Sequence, residues 1–168
     1  SSSAASDVYK RQQWQAIASL AQKNGFTPFI DIAYQGFANN LDTDAYGIRL
    51  LAGAVPEMLI ASSCSKNFGL YRERVGALTI LANSNSESLA AHRQALSIAR
   101  GIYSMPPAHG AALVAMILDN SALFEEWLTE LGAMRERMAG LRQLLVQHLA
   151  QATNSSHFSF IQQQYGMF

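Results

Sequence analysis

Apolar residues recur along this chain in two patterns, one typical of amphipathic helices and the other typical of short buried strands. Helical spacing over residues 14–22 ends at Asn24 and Gly25, a pair that favours a helix C-terminus. Short apolar runs predict three buried strands, over residues 27–33, 57–63 and 75–82. A helix followed by buried strands indicates the α/β class.

The rest of the chain is predicted to be mostly helical. Helices are expected over residues 42–54, 88–103 and 111–118, and the last of these is small, apolar and predicted to be buried. The longest periodic segment, 124–149, would be about 40 Å long as a helix, so we expect it to bridge two domains. Its Met and Leu stripe is predicted to be core. Residues 158–161 predict one more strand.

The segment 62–76, SSCSKNFGLYRERVG, carries the strongest candidate chemistry. Lys66 is the one lysine beside a predicted core strand, since Lys10 lies in a polar lead-in and Lys23 beside a turn. Hydroxyl and guanidinium groups that suit a phosphate surround it, from Ser62, Ser63, Ser65, Arg72 and Arg74. A lysine beside a bound phosphate suggests a Schiff base with a phosphorylated aldehyde. The alternative is a lysine that extends its ammonium into water.

Asp31 interrupts the first predicted strand, and Tyr34 follows it by three residues. A buried carboxylate is costly unless it is paired, so Asp31 either faces water or points at a cation in a ligand. Active groups of parallel sheets gather at the carboxyl ends of strands. We therefore expect Asp31, Tyr34 and the segment 63–66 to lie at one edge of the sheet.

Arg100 and Ser104 lie four residues apart at the end of the helix predicted over 88–103. They would be neighbours if the last turn continues. An arginine at this position is also favoured by the helix dipole, so a solvated role is the alternative to a ligand role.

Composition limits the class of protein. The chain has 168 residues, 49% of them hydrophobic and 14% charged, with a formal net charge of zero, which argues against a nucleic-acid or membrane-surface partner. The single cysteine, Cys64, fits a reducing compartment, so we expect a cytoplasmic protein. No apolar stretch is long enough to span a bilayer. The four histidines show no metal-ligand spacing, so no metal is expected.

Three motifs occur in order along the chain: DIAYQGF at 31–37, SSCSKNFGLYRERVG at 62–76 and ARGIYSMPPAHGA at 99–111. Together they resemble the class I pyridoxal-phosphate aminotransferases, in particular the aspartate and aromatic amino-acid branch. The resemblance implies part of a fold-type I transferase: a portion of a mostly parallel sheet with flanking helices, a long connecting helix and the start of a small α/β domain.

The domain boundaries follow from the resemblance. Residues 1–12 are expected to be a disordered or non-native lead-in, since they do not resemble the family. Residues 13–120 are expected to be the C-terminal part of the cofactor-binding large domain. The interdomain helix is expected over 121–150, and the truncated start of the small domain over 151–168. Members of this branch are considerably longer, so the chain is expected to be an internal fragment.

The resemblance implies roles for three residues around the cofactor ring. Lys66 matches the lysine that binds pyridoxal 5'-phosphate as a Schiff base and moves the substrate proton. Asp31 matches the aspartate that keeps the pyridinium nitrogen protonated, and Tyr34 the tyrosine that hydrogen-bonds the 3'-oxygen.

Further matches concern the phosphate and the substrate. Ser63, Ser65 and Arg74 match the phosphate-binding set. Ser104 matches a residue that reaches the cofactor phosphate of the partner subunit. Arg100 matches the arginine that enters the partner's site and holds the distal carboxylate of a substrate. The resemblance thus implies a homodimer with shared active sites.

The implied reaction is amino-group transfer from aspartate or an aromatic amino acid to 2-oxoglutarate, as part of amino-acid metabolism and biosynthesis. Cys64 and Met105 depart from residues common in the branch, which leaves the amino donor open. The fragment alone is expected to be inactive. One alternative is a serine-lysine acyl hydrolase that uses Ser63 and Lys66. Another is a non-catalytic oligomerisation fragment.

Overall fold

The computed structural model describes residues 11–165, and it confirms the α/β class. The first half contains α1 Arg11–Asn24, β1 Phe29–Ile32, α2 Leu41–Asp44, α3 Tyr46–Ala54, β2 Met58–Ser63 and β3 Gly76–Leu81. The second half contains α4 Asn85–Tyr103, α5 His109–Asp119, α6 Ser121–Thr153 and a 3₁₀ helix His157–Gln163. Residues 1–10 of the predicted lead-in lie outside the described residues, whereas residues 11 and 12 belong to α1.

The three strands form one sheet in the order β1-β2-β3. β1 runs parallel to β2, and β2 runs antiparallel to β3, so one of the two pairings in this part of the sheet is parallel. Helices α1 and α3 pack together and cover one face, where Ala18, Ala21, Leu51, Val55 and Met58 form the core.

The opposite face of the sheet is open in the described part of the chain. Phe29 is 65% exposed and Leu78 is 52% exposed. The prediction that all three strands are buried is therefore wrong for this face, because α1 and α3 cover only the other one.

The helix predicted over 42–54 is divided into α2 and α3 at Ala45. The Asn40 side chain caps α2 by accepting hydrogen bonds from the backbone N–H groups of Asp42 and Thr43. The Asp44 carboxylate at the end of α2 accepts backbone N–H groups of the preceding loop. The short helix α2 thus holds the loop that follows Tyr34. The prediction of one continuous helix did not anticipate this role.

Helix α6 has 33 residues and is about 50 Å long. Its N-terminal half packs on a second core in which Phe37, Trp127 and Leu131 are buried. The long helix is confirmed, but the prediction of a continuous core stripe is wrong, since Leu141 and Leu145 are about half exposed at 53% and 46%.

Two further predictions about the second half are wrong. Helix α5 was expected to be buried, yet among its described residues only Gly110 is, because α5 packs mainly along α6. Residues 158–161 belong to the 3₁₀ helix instead of a strand. This helix packs against α6, and i+3 hydrogen bonds such as Ser159 N–H to the Ser156 carbonyl satisfy its backbone without a neighbouring strand.

Candidate active site

The carboxyl ends of β1 and β2 lie at the same edge of the sheet because the two strands are parallel. Asp31 pairs in register with Ala61, and Ile32 pairs with Ser62. Side chains alternate between faces along a strand, so Asp31 and Ser63 lie on the same face, which is the open one. The expected meeting of these segments at one edge is confirmed.

Tyr34 and Lys66 meet just beyond this edge. The Lys66 Nζ lies 4.6 Å from the centroid of the Tyr34 ring, a distance that allows a cation–π interaction. Lys66 lies in a turn in which its carbonyl accepts the Gly69 N–H at 3.1 Å, and its side chain is half-buried. The turn therefore points the amine at the loop after β1.

The hydroxyl-bearing segment is folded compactly between the strand and the lysine. The Ser65 backbone N–H donates to the Ser63 Oγ at 3.2 Å, and Ser65 is buried. This contact holds the Ser63 oxygen beside the segment that leads to Lys66.

Arg74 lies in the connection between β2 and β3. Its backbone has a φ of 51°, in the left-handed region, and its guanidinium donates to the Tyr71 carbonyl at 3.1 Å. The Cys64 N–H donates to the Val75 carbonyl at 3.1 Å and closes the base of the connection. Arg74 is exposed, and the Cys64–Val75 bond brings the residue directly after it next to the backbone of the serine segment.

Gly76 begins β3 at a point of very close backbone approach. A Cβ atom at this position would overlap the carbonyl oxygen of Ser62 on β2. Glycine is therefore needed here for β3 to pair with the strand that carries the serine segment.

Arg100 and Ser104 lie at the C-terminal end of α4, which packs against β3. The Ser104 N–H donates to the Arg100 carbonyl at 3.0 Å, so the predicted neighbours do share a turn, and Ser104 has a φ of 64°. Both side chains are exposed. Within residues 11–165, no described contact joins them to Asp31, Tyr34 or Lys66.

Three residues that support the site were missed by the sequence analysis. Asp44 binds the loop after Tyr34, Trp127 of α6 donates its Nε1–H to the Asn67 carbonyl at 2.7 Å, and Arg135 of α6 donates to the Gly36 carbonyl at 3.0 Å. A tryptophan in an apolar helix stripe is one signal that could have been used, because a buried indole N–H needs an acceptor.

Burial raises the pKa of the Cys64 thiol, so this residue is less reactive than an ordinary cysteine near neutral pH. Among residues 11–165, no group of three His, Cys, Asp or Glu side chains could hold a metal ion. No helix in the same range is long and apolar enough to cross a membrane.

The family profile described as aminotransferase class I and II matches residues 2–168. This chain belongs to that aminotransferase family. The aspartate aminotransferase of Haemophilus influenzae is 50% identical over 94% of this chain and 40% of its own length. The aromatic-amino-acid aminotransferase of Paracoccus denitrificans is 46% identical over 93% of this chain and 40% of its own length.

A solved structure of another aminotransferase has the same fold. The aromatic-amino-acid aminotransferase from Burkholderia pseudomallei, covalently bound to pyridoxal phosphate, superposes with a TM-score of 0.90 at 41% identity, over 95% of this chain and 40% of that protein. The predicted family and fold are confirmed. The chain spans about two fifths of the length of the relatives it matches, and the acyl-hydrolase alternative finds no support in them.

Proposed function

We propose that the protein to which this chain belongs is a pyridoxal-phosphate-dependent aminotransferase. The observation that carries the proposal is the approach of the Lys66 amine to 4.6 Å from the Tyr34 ring centroid, at the edge where Asp31 and Ser63 share a face. The family includes a protein bound covalently to pyridoxal phosphate. We further propose a cytoplasmic homodimer with shared sites.

The chemistry of the donor set fits this cofactor. A phosphorylated pyridine aldehyde needs an amine, an acid, a hydroxyl donor and a phosphate-binding group, and the segments at this edge supply one of each. Lys66 would hold the aldehyde carbon and Asp31 the ring nitrogen, while Tyr34 would bind the 3'-oxygen. The phosphate would be held by Ser63, Ser65 and Arg74, and by Ser104 of a second subunit. When bound, the cofactor acts as an electron sink for the substrate's α-carbon.

The residues of this chain have separable tasks in the proposed reaction. The Asp31 carboxylate stabilises a proton at the ring nitrogen, because opposite charges at close range favour the ionised forms. The Lys66 amine would take and return the substrate proton. The turn that carries it is held by the bond from the Gly69 N–H to the Lys66 carbonyl and by the bond from Trp127 to the Asn67 carbonyl. The turn that carries Lys66 and the loop after β1 meet where the amine approaches the Tyr34 ring.

Covalent trapping tests the proposal directly. The full-length protein is incubated with pyridoxal phosphate, reduced with borohydride, digested and mapped by mass spectrometry. The cofactor mass is expected on the peptide that contains Lys66, and it should disappear in Lys66→Ala. Lys23→Ala, an exposed lysine on α1, is the matched control and should keep the label. A label that survives in Lys66→Ala refutes the assignment.

We propose aspartate or an aromatic amino acid as the donor and 2-oxoglutarate as the acceptor, because relatives of both names match this chain to a similar degree. If Arg100 binds a distal carboxylate, Arg100→Ala in the full-length enzyme should reduce turnover of aspartate far more than turnover of phenylalanine. Equal losses with the two donors would remove this role.

Subunit mixing tests whether Arg100 acts in the partner's site. Each site of the Lys66→Ala homodimer lacks the lysine, and each site of the Arg100→Ala homodimer lacks the arginine. In a hybrid dimer with shared sites, one site combines Lys66 of the Arg100→Ala subunit with Arg100 of the Lys66→Ala subunit. Aspartate turnover should therefore increase when the two variants are unfolded together and refolded. No increase over the separately refolded variants would refute shared sites.

We also propose that the 168-residue chain alone is inactive. Its open sheet face and α4 expose large apolar side chains, among them Phe29, Leu78, Leu96 and Ile102. Such surface is typical of a contact region for other protein segments. Turnover by the isolated chain would contradict this proposal.

A further inference from the structure

Helix α6 is hydrogen-bonded to both loops of the candidate site. The Trp127 Nε1–H donates to the carbonyl of Asn67, the residue directly after Lys66, at 2.7 Å. The Arg135 Nη1 donates to the carbonyl of Gly36, two residues after Tyr34, at 3.0 Å. Helix α6 therefore binds one loop close to Lys66 and the other loop close to Tyr34. The side chains of these two residues meet each other.

The contact at Trp127 is buried and closely packed. Trp127 is 9% exposed, and its indole stacks on the Phe68 ring with centroids 4.2 Å apart and planes inclined by 11°. Phe124 packs against the same indole at 5.6 Å. The indole thus fixes the turn through two independent contacts, a hydrogen bond to the backbone and a stack on the next side chain.

The two loops are also joined to each other through Asn67. Its side-chain Nδ2 donates to the Gln35 carbonyl at 3.4 Å, and Asn67 is 8% exposed. Asn67 therefore has its backbone bound to α6 and its side chain bound to the loop after β1. A displacement of α6 relative to the sheet moves both sides of the site through these contacts.

The spacing on α6 sets a fixed separation between the two anchors. Trp127 and Arg135 are eight residues apart, which is about 12 Å along a rigid helix. The anchors bind loops that come from different strands, so the helix determines how the two loops lie relative to each other.

We propose that Trp127 and Arg135 are positioning residues that set the placement of the Lys66 amine against Tyr34, and through it the affinity for an aldehyde-bearing ligand. The inference rests on the proposed function, because it takes pyridoxal phosphate as that ligand. Neither residue is proposed to contact the ligand. Each acts through the loop backbone that it binds.

The test compares two ligands of the full-length protein. Pyridoxine phosphate has the same ring and phosphate as pyridoxal phosphate, but a hydroxymethyl group replaces the aldehyde, so it cannot bond to Lys66. Trp127→Phe keeps an aromatic ring to stack on Phe68 and removes the N–H donor. We expect it to weaken pyridoxal phosphate binding roughly fivefold, the effect of one hydrogen bond, and to change pyridoxine phosphate binding less than about twofold.

Two further variants make the test independent of the folding of Trp127→Phe. Arg135→Met keeps the aliphatic stem and removes the donor to Gly36, and it should have the same ligand-selective effect. Phe124→Leu alters packing on the indole but keeps the hydrogen bond, and it should change neither dissociation constant. In a Lys66→Ala background, Trp127→Phe should have no further effect on either ligand.

Several outcomes overturn the proposal. Equal weakening of both ligands in Trp127→Phe and Arg135→Met would show a general structural role, and unchanged dissociation constants would show no role. An effect of Trp127→Phe that persists in Lys66→Ala would show that it does not act through the lysine. A wild-type protein that binds pyridoxal phosphate no better than pyridoxine phosphate would instead remove the proposed function, and this inference with it.

Discussion

Asp44→Ala should loosen the loop that follows Tyr34. One carboxylate oxygen of Asp44 accepts the N–H groups of Gly36 at 2.8 Å and Ala38 at 3.1 Å, and the other accepts the N–H of Asn39 at 3.0 Å. The loop is half exposed, so each bond is assigned about 1 kcal/mol, below the usual value for a charged acceptor. The free energy needed to open the loop should then fall by about 2 to 3 kcal/mol. The lower end of this range allows for the freed N–H groups, which partly bind water.

Amide hydrogen exchange measures this loss at the amides themselves. Because about 1.4 kcal/mol corresponds to a tenfold change, exchange at Gly36, Ala38 and Asn39 should accelerate roughly 30- to 140-fold in Asp44→Ala. Asp44→Asn keeps one acceptor oxygen and should give a smaller acceleration, concentrated at whichever amide then faces the side-chain NH₂.

Asp42→Ala is the matched control on the same short helix. The Asp42 carboxylate is 79% exposed and pairs with Arg49 rather than with the loop, so exchange at the three amides should change less than about twofold. If exchange at the three amides is unchanged in Asp44→Ala, or accelerates equally in Asp42→Ala, the loop is held by other contacts and the reasoning is wrong.

Three other predictions concern the site's surroundings. Gly76→Ala should lower the free energy of unfolding by about 1 to 3 kcal/mol in denaturant titrations, because the new Cβ meets a β2 backbone oxygen; Gly53→Ala, with open space around it, should not. His109→Ala should cost less than about 1 kcal/mol, since the His109 side chain that pairs with Glu73 is 69% exposed; a larger loss would show a role beyond the pair. Burial raises the pKa of Cys64, so iodoacetamide should label it more slowly than a free thiol at pH 8, and stability should fall as pH rises above the ordinary value of 9.0, where the unfolded chain loses its proton first.

The sequence was sufficient for the features that depend on local pattern. Apolar runs located β1 and β2, and the rule for parallel strands then predicted that Asp31, Tyr34 and the segment before Lys66 share an edge. The motif around Lys66 could be interpreted because its hydroxyl and guanidinium groups are neighbours in the chain.

Features that depend on distant partners could not be predicted in the same way. The alternation of Phe158 and Phe160 suits a strand, but the segment packs on α6 as a 3₁₀ helix. The contact of Trp127 with Asn67 spans 60 residues, and that of Arg135 with Gly36 spans 99, so neither leaves a local signature. Burial of β1 was overestimated because an apolar run does not reveal which face a helix covers.

The long-range anchors of α6 have a consequence for how the protein is made. A ribosome adds about 5 to 20 residues each second, so the lysine turn is synthesised about 3 to 12 seconds before Trp127, which follows Asn67 by 60 residues. During that interval the nascent turn lacks the indole that later covers it. Assembly of this edge therefore waits for a distant part of the polypeptide, and a translational pause placed between the two segments would prolong the exposure of the turn that carries Lys66.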